Sequence, residues 1–234
     1  MGSSARSPPG RGSDVQEKTL TRAVPLWLKI VYSAFVAVVV PCYWVTYTPW
    51  NFLYFCDVAL LVTVVAIWIE SPLLLSMQAV GITLVQMLWV VDLLCRLVAG
   101  VHVTGVTAYM VDPTIPLFLR GLSTFHGWLP FLLLWLVWRL GYDERALAAQ
   151  SATAVVVLLL SYLFAPAPPP LADHPHWAVN INYVYGLDDR QPQQRMAPAL
   201  WVLLLMAFHV VVVYVPTHLV FRRVFTRIRP GARK

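Results

Sequence analysis

Charged side chains are scarce in this sequence. Only 12% of the 234 residues are Asp, Glu, Lys or Arg, whereas 59% are hydrophobic, and the mean hydropathy is +0.68. A soluble domain carries about a quarter charged residues, so this chain has too few of them to cover a water-exposed surface. The composition therefore predicts a multi-pass membrane protein and argues against an ordinary soluble enzyme.

Cysteine is also rare, and the basic charge is unevenly placed. The three cysteines, Cys42, Cys56 and Cys95, lack the spacing of metal ligands, so we expect no metal site and no cofactor. The net charge of +6 is concentrated towards the two ends of the chain. That placement is typical of membrane orientation and contact with anionic membrane lipids, and it argues against nucleic acid as a partner. The oligomeric state stays open.

Six apolar segments predict the fold, an all-α bundle of six transmembrane helices. Most of them come near the roughly 20 residues that a helix needs to cross a bilayer. The predicted spans are 25–47, 52–69, 73–94, 125–140, 146–165 and 198–220.

The segments outside these spans complete the predicted organisation. We expect residues 1–22 to form a disordered cytoplasmic tail, residues 23–221 the transmembrane domain, and residues 222–234 a basic cytoplasmic tail in contact with anionic lipid. Residues 96–114 are predicted to be a loop, and residues 115–122 a re-entrant or interfacial lead-in to the fourth span.

The distribution of Lys and Arg predicts the orientation. With six spans, both ends of the chain and the turns after the second and fourth spans share one side, and that side holds most of the basic residues. Basic residues favour the cytoplasmic side. We therefore expect a protein of the cell membrane with both termini in the cytoplasm.

Four chemically distinctive residues fall at the opposite, outer ends of the predicted spans: Cys56, Asp57, Asp92 and His126. Ionisable residues within membrane segments are costly and often functional. A thiol and an imidazole at one depth suggest a nucleophile, Cys56, with His126 as its general base. Asp57 or Asp92 would then orient the base.

Each of these residues also has a purely structural interpretation. Cys56 is compatible with a small buried hydrophobic residue, or with a disulfide to Cys95. Asp57 can stabilise the start of its own helix. Asp92 stands four residues before Arg96, the spacing of a helical ion pair.

A second group of residues is predicted to bind substrate: Asn51, Gln86, Asn180, Asn182 and Tyr183. Asn182 is the candidate oxyanion donor, and the segment 180–183 is predicted to fold over the site as a lid. The alternatives are turn-forming loop residues for the asparagines and a helix-bridging role for Gln86. His209 is expected about 18 Å below the outer end of its helix, too deep to share a metal or haem with His126.

The order of these residues resembles the YwaF-like family of integral membrane proteins, which includes an animal ether-phospholipid acyltransferase. The similar motifs are Phe55-Cys56-Asp57, Gln86 with Asp92, His126-Gly127 and Asn182-Tyr183. In the acyltransferase a cysteine and a histidine form the proposed acyl-transfer pair, and the resemblance implies that Cys56 and His126 take those roles. A more distant resemblance is to the androgen-induced lipid hydrolases, which use Thr and His in a similar helical bundle.

Two functions follow as expectations. The first is a membrane-embedded lipid acyltransferase or hydrolase that uses Cys56 and His126. The second is a non-catalytic binding or transport protein with an outward-facing polar cavity. Hydrogen-bond contact between Cys56 and His126 would favour the first function. A continuous polar path towards His209 and His218 would favour the second.

Overall fold

A computed structural model describes residues 24–228, with side chains described as far as Phe225. Within that range every regular element is helical, as predicted, and five helices are long and apolar enough to cross a membrane. The predicted tail 1–22 and the end of the basic tail lie outside the described residues.

The first three membrane helices follow the predicted spans with shifted ends. Helix α1 is Leu26–Tyr47. A short 3₁₀ helix, Pro49–Leu53, leads into α2, Phe55–Trp68. Helix α3 is Pro72–Ala99.

The second span is shorter than predicted, and the third is longer. Helix α2 has 14 residues, about 21 Å at the helical rise, because the 3₁₀ helix takes the residues before it. Helix α3 has 28 residues and runs past the predicted loop boundary at Arg96. It begins where Ser71 Oγ accepts a hydrogen bond from the Leu74 amide and ends at Gly100, whose φ of 74° suits glycine.

The second half of the chain contains the remaining spans. The short helix α4, Leu117–Leu122, precedes α5, Phe125–Leu140, and together they form the predicted lead-in and fourth span. Helix α6 is Ala146–Phe164. The last span consists of α7, Pro198–Phe208, a π-helical segment, His209–Tyr214, and α8, Val215–Ile228. Helix α8 therefore continues into the segment that was predicted to be a tail.

Helix α3 lies at the centre of the bundle and contacts α2, α5, α6 and the last span. The apolar face of α5 is fully buried at Leu129, Leu133 and Leu136. Elsewhere large apolar side chains stay exposed, including Val85 and Leu88 of α3. An apolar surface of this kind suits lipid, while the buried contacts hold the helices together.

The two ends of the bundle are built differently. At one end Lys29 Nζ lies 2.7 Å from Glu70 Oε1, and the Asp143 amide donates to Ser76 Oγ, so the start of α1 and the two tight turns meet there. At the other end the segment between α6 and α7 packs on the 3₁₀ helix before α2, with the Ala178 amide donating to the Tyr47 carbonyl. The candidate site lies at this second end.

Candidate functional site: two cavities that meet at Cys56 and His126

The first cavity, here called the tyrosine cavity, has a volume of about 410 Å³. It is an open cavity bordered by the 3₁₀ helix before α2, the end of α1, the C-terminal half of α3, the loop after α3 and the start of α5. The residues that line this cavity alone include Tyr43, Tyr47, Asn51, Asp57, Tyr109 and Ser123.

The second cavity, here called the apolar cavity, has a volume of about 280 Å³. Its own lining residues include Phe55, Ile82, Val85, Gln86, Leu88 and His209. Val85 and Leu88 are 47% and 52% exposed on the apolar surface of α3. The apolar cavity therefore borders the surface that faces lipid in a membrane.

Six residues line both cavities: Tyr54, Cys56, Trp89, Val106, His126 and Tyr183. The predicted nucleophile and the predicted base thus stand together where an apolar cavity meets a hydroxyl-rich one. Neither of the other two cysteines belongs to either lining.

Cys56 is tied to Asp57, its neighbour in the first turn of α2. The thiol donates to Asp57 Oδ2 at 3.7 Å, and the Asn51 amide donates to the same oxygen at 3.0 Å. The 3₁₀ helix makes this possible because it turns Asn51 back towards the start of α2. All three cysteines are free, so the alternative of a Cys56–Cys95 disulfide does not describe this structure.

Asp57 is only partly satisfied. Asp57 is only 3% exposed, and its Oδ1 atom has no hydrogen-bond partner among the described residues. A buried polar atom without a partner is costly. Asp57 is one of the residues that line the tyrosine cavity, so this oxygen lies next to a space that can hold a ligand.

His126 is held by its backbone and by an aromatic ring. Its Nδ1 lies 2.8 Å from the Ser123 carbonyl oxygen, which can only accept, so Nδ1 carries the proton in the neutral ring. Nε2 is then the basic nitrogen. The ring stacks on Trp89, with centroids 5.4 Å apart and planes 22° apart.

No hydrogen bond joins Cys56 to His126 within residues 24–228; the thiol donates to Asp57 instead. Asp57 likewise contacts the thiol rather than the imidazole. The expected contact between nucleophile and base is therefore not formed directly, although both side chains border the same two spaces. A reacting group bound at the junction of the cavities can contact both.

Asp92 has a different setting from the one expected. It is fully buried near the C-terminal end of α3 and accepts hydrogen bonds from the loop after that helix, including the amides of Thr104 at 2.6 Å, Gly105 at 3.1 Å and Thr107 at 3.1 Å. The Thr107 hydroxyl and His102 complete its contacts. The proposed ion pair with Arg96 is replaced by these bonds, and Arg96 donates to the Gly100 carbonyl.

The loop that Asp92 anchors forms part of both cavity walls. Thr104 lines the apolar cavity, Tyr109 lines the tyrosine cavity, and Val106 lines both. The Trp89 indole nitrogen donates to the Tyr109 hydroxyl at 3.2 Å. Burial raises the pKa of Tyr109 well above its usual range. Asp92 thus acts on the site through this loop, and Trp89 connects the loop to the His126 ring.

The predicted lid segment does reach the site. Tyr183 lines both cavities and Asn182 lines the apolar cavity. Asn182 also bridges to the start of α2, where it donates to the Leu53 carbonyl at 2.7 Å and accepts from the Phe55 amide at 3.2 Å. Asn180 is turned away and holds its own loop, donating to the Gly186 carbonyl and accepting from the Tyr185 amide.

Gln86 is the least satisfied polar group in the apolar cavity. It is 3% exposed, and both its amide nitrogen and its amide oxygen have no hydrogen-bond partner within the described residues. Leaving one buried group unsatisfied costs about 1–3 kcal/mol. An unpaired amide on an apolar wall points to a ligand that brings its own polar atom.

His209 is a lining residue that sequence reasoning did not include in the site. It lies eleven residues after the first residue of its span, Pro198, yet it lines the same apolar cavity as His126, so this cavity extends along the last span as far as the π-helical segment. It opens the π-helical segment of the last span, and its ring packs 5.0 Å from Phe55. π-Helical segments are frequent at functional sites. The sequence predicted neither this π-helical segment nor the start of α2 at Phe55, which brings Phe55 next to His209.

No group of three His, Cys, Asp or Glu side chains within the described part of the chain is arranged to hold a metal ion. The chain was also compared with known proteins. No family model, no curated protein and no solved structure matches it.

Proposed function

We propose that this protein is a membrane-embedded lipid acyltransferase or hydrolase with Cys56 as its nucleophile and His126 as its base. The observation that carries the proposal is the position of these two residues at the junction of the cavities. A lipid ester has the same arrangement, with an apolar chain on one side of the reacting carbonyl and a polar group on the other.

The apolar cavity supplies a place for the acyl chain. Its border with the lipid-facing side chains Val85 and Leu88 gives a chain in the membrane a direct way in. The tyrosine cavity then receives the polar part of the lipid, and the ester carbonyl lies between them, near Cys56.

The chemistry proceeds in two steps. The Cys56 sulfur attacks the ester carbonyl, and the thiol proton passes first to Asp57, which already accepts its hydrogen bond. The C–O bond breaks, and the leaving alcohol takes this proton from Asp57. The acyl thioester is then attacked by a second alcohol in a transferase, or by water in a hydrolase, with Nε2 of His126 taking the proton. The C–S bond breaks, and the departing Cys56 sulfur regains a proton from His126, which restores the free thiol.

The negative charge on the carbonyl oxygen needs a donor during both steps. Gln86 suits this role better than Asn182, because its amide is unpaired while Asn182 already donates to the Leu53 carbonyl. Asn51 holds Asp57, and Tyr183 closes the junction.

The proposed location is the cell membrane, with both termini in the cytoplasm and the site near the outer face. The Lys and Arg distribution supports that orientation, and the site lies at the end of the bundle away from the Lys29–Glu70 pair. The resemblance to the YwaF-like family fits the same chemistry and remains part of the proposal. Membrane lipids are the expected partners.

The test is capture of the acyl-enzyme. Purified protein in lipid nanodiscs, incubated with a phospholipid ester, should gain the mass of one acyl chain at Cys56, and hydroxylamine should remove it. The Cys42→Ala and Cys95→Ala variants should still be acylated, whereas Cys56→Ala should not. An acyl group on another residue, or none under turnover conditions, would reject the nucleophile assignment.

One observation favours the second candidate, a non-catalytic lipid-binding protein. The Cys56 thiol rests against a carboxyl group rather than against the imidazole. A protein of this second kind would hold lipid in the two cavities without converting it. Recovery of one unchanged lipid molecule per protein molecule, from protein in which Cys56 and His126 are both present, would support this function.

A further inference from the structure

The tyrosine cavity has an unusual chemical composition. Five tyrosines and Trp89 line it, together with one carboxyl group, that of Asp57. The same lining contains no lysine or arginine among the described residues. The cavity therefore combines electron-rich aromatic faces with one acidic group, and the side chains there that could balance this acid are two imidazoles, those of His126 and His176.

The state of Asp57 gives a second, independent indication. Its Oδ2 atom is occupied by Asn51 and Cys56, whereas Oδ1 is buried and has no partner within residues 24–228. A buried carboxyl oxygen of this kind is stabilised by a donor or a positive charge. A ligand in the cavity can supply that charge.

We propose that the tyrosine cavity binds an organic cation, an ammonium group held between Asp57 Oδ1 and the tyrosine rings. Aromatic faces attract ammonium and quaternary ammonium groups, and cages of tyrosine and tryptophan are a recurrent way to bind them. This inference deepens the proposed function, on which it rests for identifying the cation as the polar end of the substrate.

Other classes of ligand fit these walls less well. A phosphate or carboxylate group is bound best by Lys or Arg, and this lining contains neither, so it offers an anion only the imidazoles of His126 and His176 beside the carboxyl group of Asp57. A metal ion needs several oxygen, nitrogen or sulfur ligands, and no such group of three ionisable ligands occurs among the described residues. The combination of rings and one acid selects an ammonium group.

The test is a binding measurement that does not depend on catalysis. The full-length Cys56→Ala chain in phosphatidylglycerol nanodiscs is titrated with choline and with its uncharged isostere, in which carbon replaces the nitrogen. Choline should bind saturably and at least about tenfold more tightly than the isostere. Equal binding of the two compounds would overturn the proposal, whatever the outcome of the acylation experiment.

Two sets of variants locate the site. Adding Asp57→Asn should weaken choline binding at least about tenfold and leave the isostere unaffected. Tyr109→Leu removes both the ring and the hydroxyl and should weaken choline binding about two- to tenfold. Tyr109→Phe removes only the hydroxyl and keeps the ring, so choline should bind to it as tightly as before. If Asp57→Asn prevents folding, the Tyr109 pair decides. Unchanged binding in Tyr109→Leu would then place the cation elsewhere and reject the proposal.

A final arm separates a lipid headgroup from a free amine. Replacing phosphatidylglycerol in the nanodisc by phosphatidylcholine should lower the apparent affinity for free choline if the cavity accepts headgroups from the bilayer. An unchanged affinity would identify a free ammonium compound as the ligand. Both results retain the cation site and differ only in where the cation comes from.

Discussion

The thiol of Cys56 donates a hydrogen bond to the carboxyl group of Asp57, its neighbour in sequence, at 3.7 Å. This contact places an acid beside the proposed nucleophile, while the proposed base, His126, borders the same cavities with its own hydrogen bond to the Ser123 carbonyl. Among the described residues the site therefore has no preformed thiol–imidazole pair.

The first prediction concerns that pair. Cys56→Ala and His126→Gln should each abolish lipid turnover, and the double variant should be no worse than either single variant, because residues that act as a unit give non-additive losses. Turnover is measured as acyl-chain transfer or release by mass spectrometry. Cys95→Ala, which removes a thiol outside both cavities, serves as the control. If the losses of turnover in the two single variants instead add up in the double variant, Cys56 and His126 act independently.

The second prediction gives opposite signs for activity and stability. Gln86→Met removes an unpaired buried amide, so the midpoint of thermal unfolding should stay the same or rise, while turnover should fall about 100- to 1000-fold through loss of the oxyanion donor. Gln78→Met is the matched control. Gln78 is buried in the same helix with an unpartnered amide nitrogen but lies outside both cavity linings, so its replacement should not reduce turnover. Equal turnover in both variants would remove Gln86 from the mechanism.

The third prediction concerns the loop after α3. Asp92→Asn should destabilise the loop by about 1.5–3 kcal/mol, because its amides lose a charged acceptor. Hydrogen exchange at the amides of Thr104, Gly105 and Thr107 should become faster. Asp112→Asn is the control: Asp112 is a loop carboxyl whose pKa is lowered by the Thr114 hydroxyl, and its contacts are local, so exchange at those three amides should not change. Slow exchange in Asp92→Asn would mean that other contacts hold the loop.

The fourth prediction tests the packing of α3 against α6. A Cβ added at Gly81 would overlap the Gln150 side-chain amide, and Gln150 is itself buried. Gly81→Ala should therefore destabilise the bundle by about 1–3 kcal/mol. At Gly127 the nearest atom lies at an ordinary 3.6 Å, so Gly127→Ala should be tolerated. Thermal unfolding in nanodiscs measures both, and an unaffected Gly81→Ala protein would show that α3 and α6 pack more loosely.

The fifth prediction concerns orientation. Reporter fusions after Lys234 and within residues 173–193 should report opposite sides of the membrane, with the first in the cytoplasm. The structure places the second segment at the cavity end of the bundle, where Ala178 bonds to Tyr47. An external C-terminus would move the site to the cytoplasmic face without changing its geometry.

The sequence by itself determined the class of protein and most of the helices. Apolar runs of sufficient length, broken by turns such as Glu70-Ser71-Pro72, require helices because backbone groups in lipid must be paired within their own segment. Helix α5 begins and ends at the predicted residues, Phe125 and Leu140. The ends of three other helices were less predictable. The start of α2 depends on the 3₁₀ helix before it, the end of α3 depends on its glycine cap, and α8 continues into polar sequence.

Only the tertiary structure decided what the polar residues contact. Asp92 binds a loop rather than Arg96, Asn182 holds Leu53 across 129 positions of the chain, and His209 joins the cavity of His126. Sequence spacing gives the depth of a residue along one straight helix, but not which helices are neighbours or how far a cavity extends between them. The meeting of the two cavities at Cys56 and His126 arises from that packing.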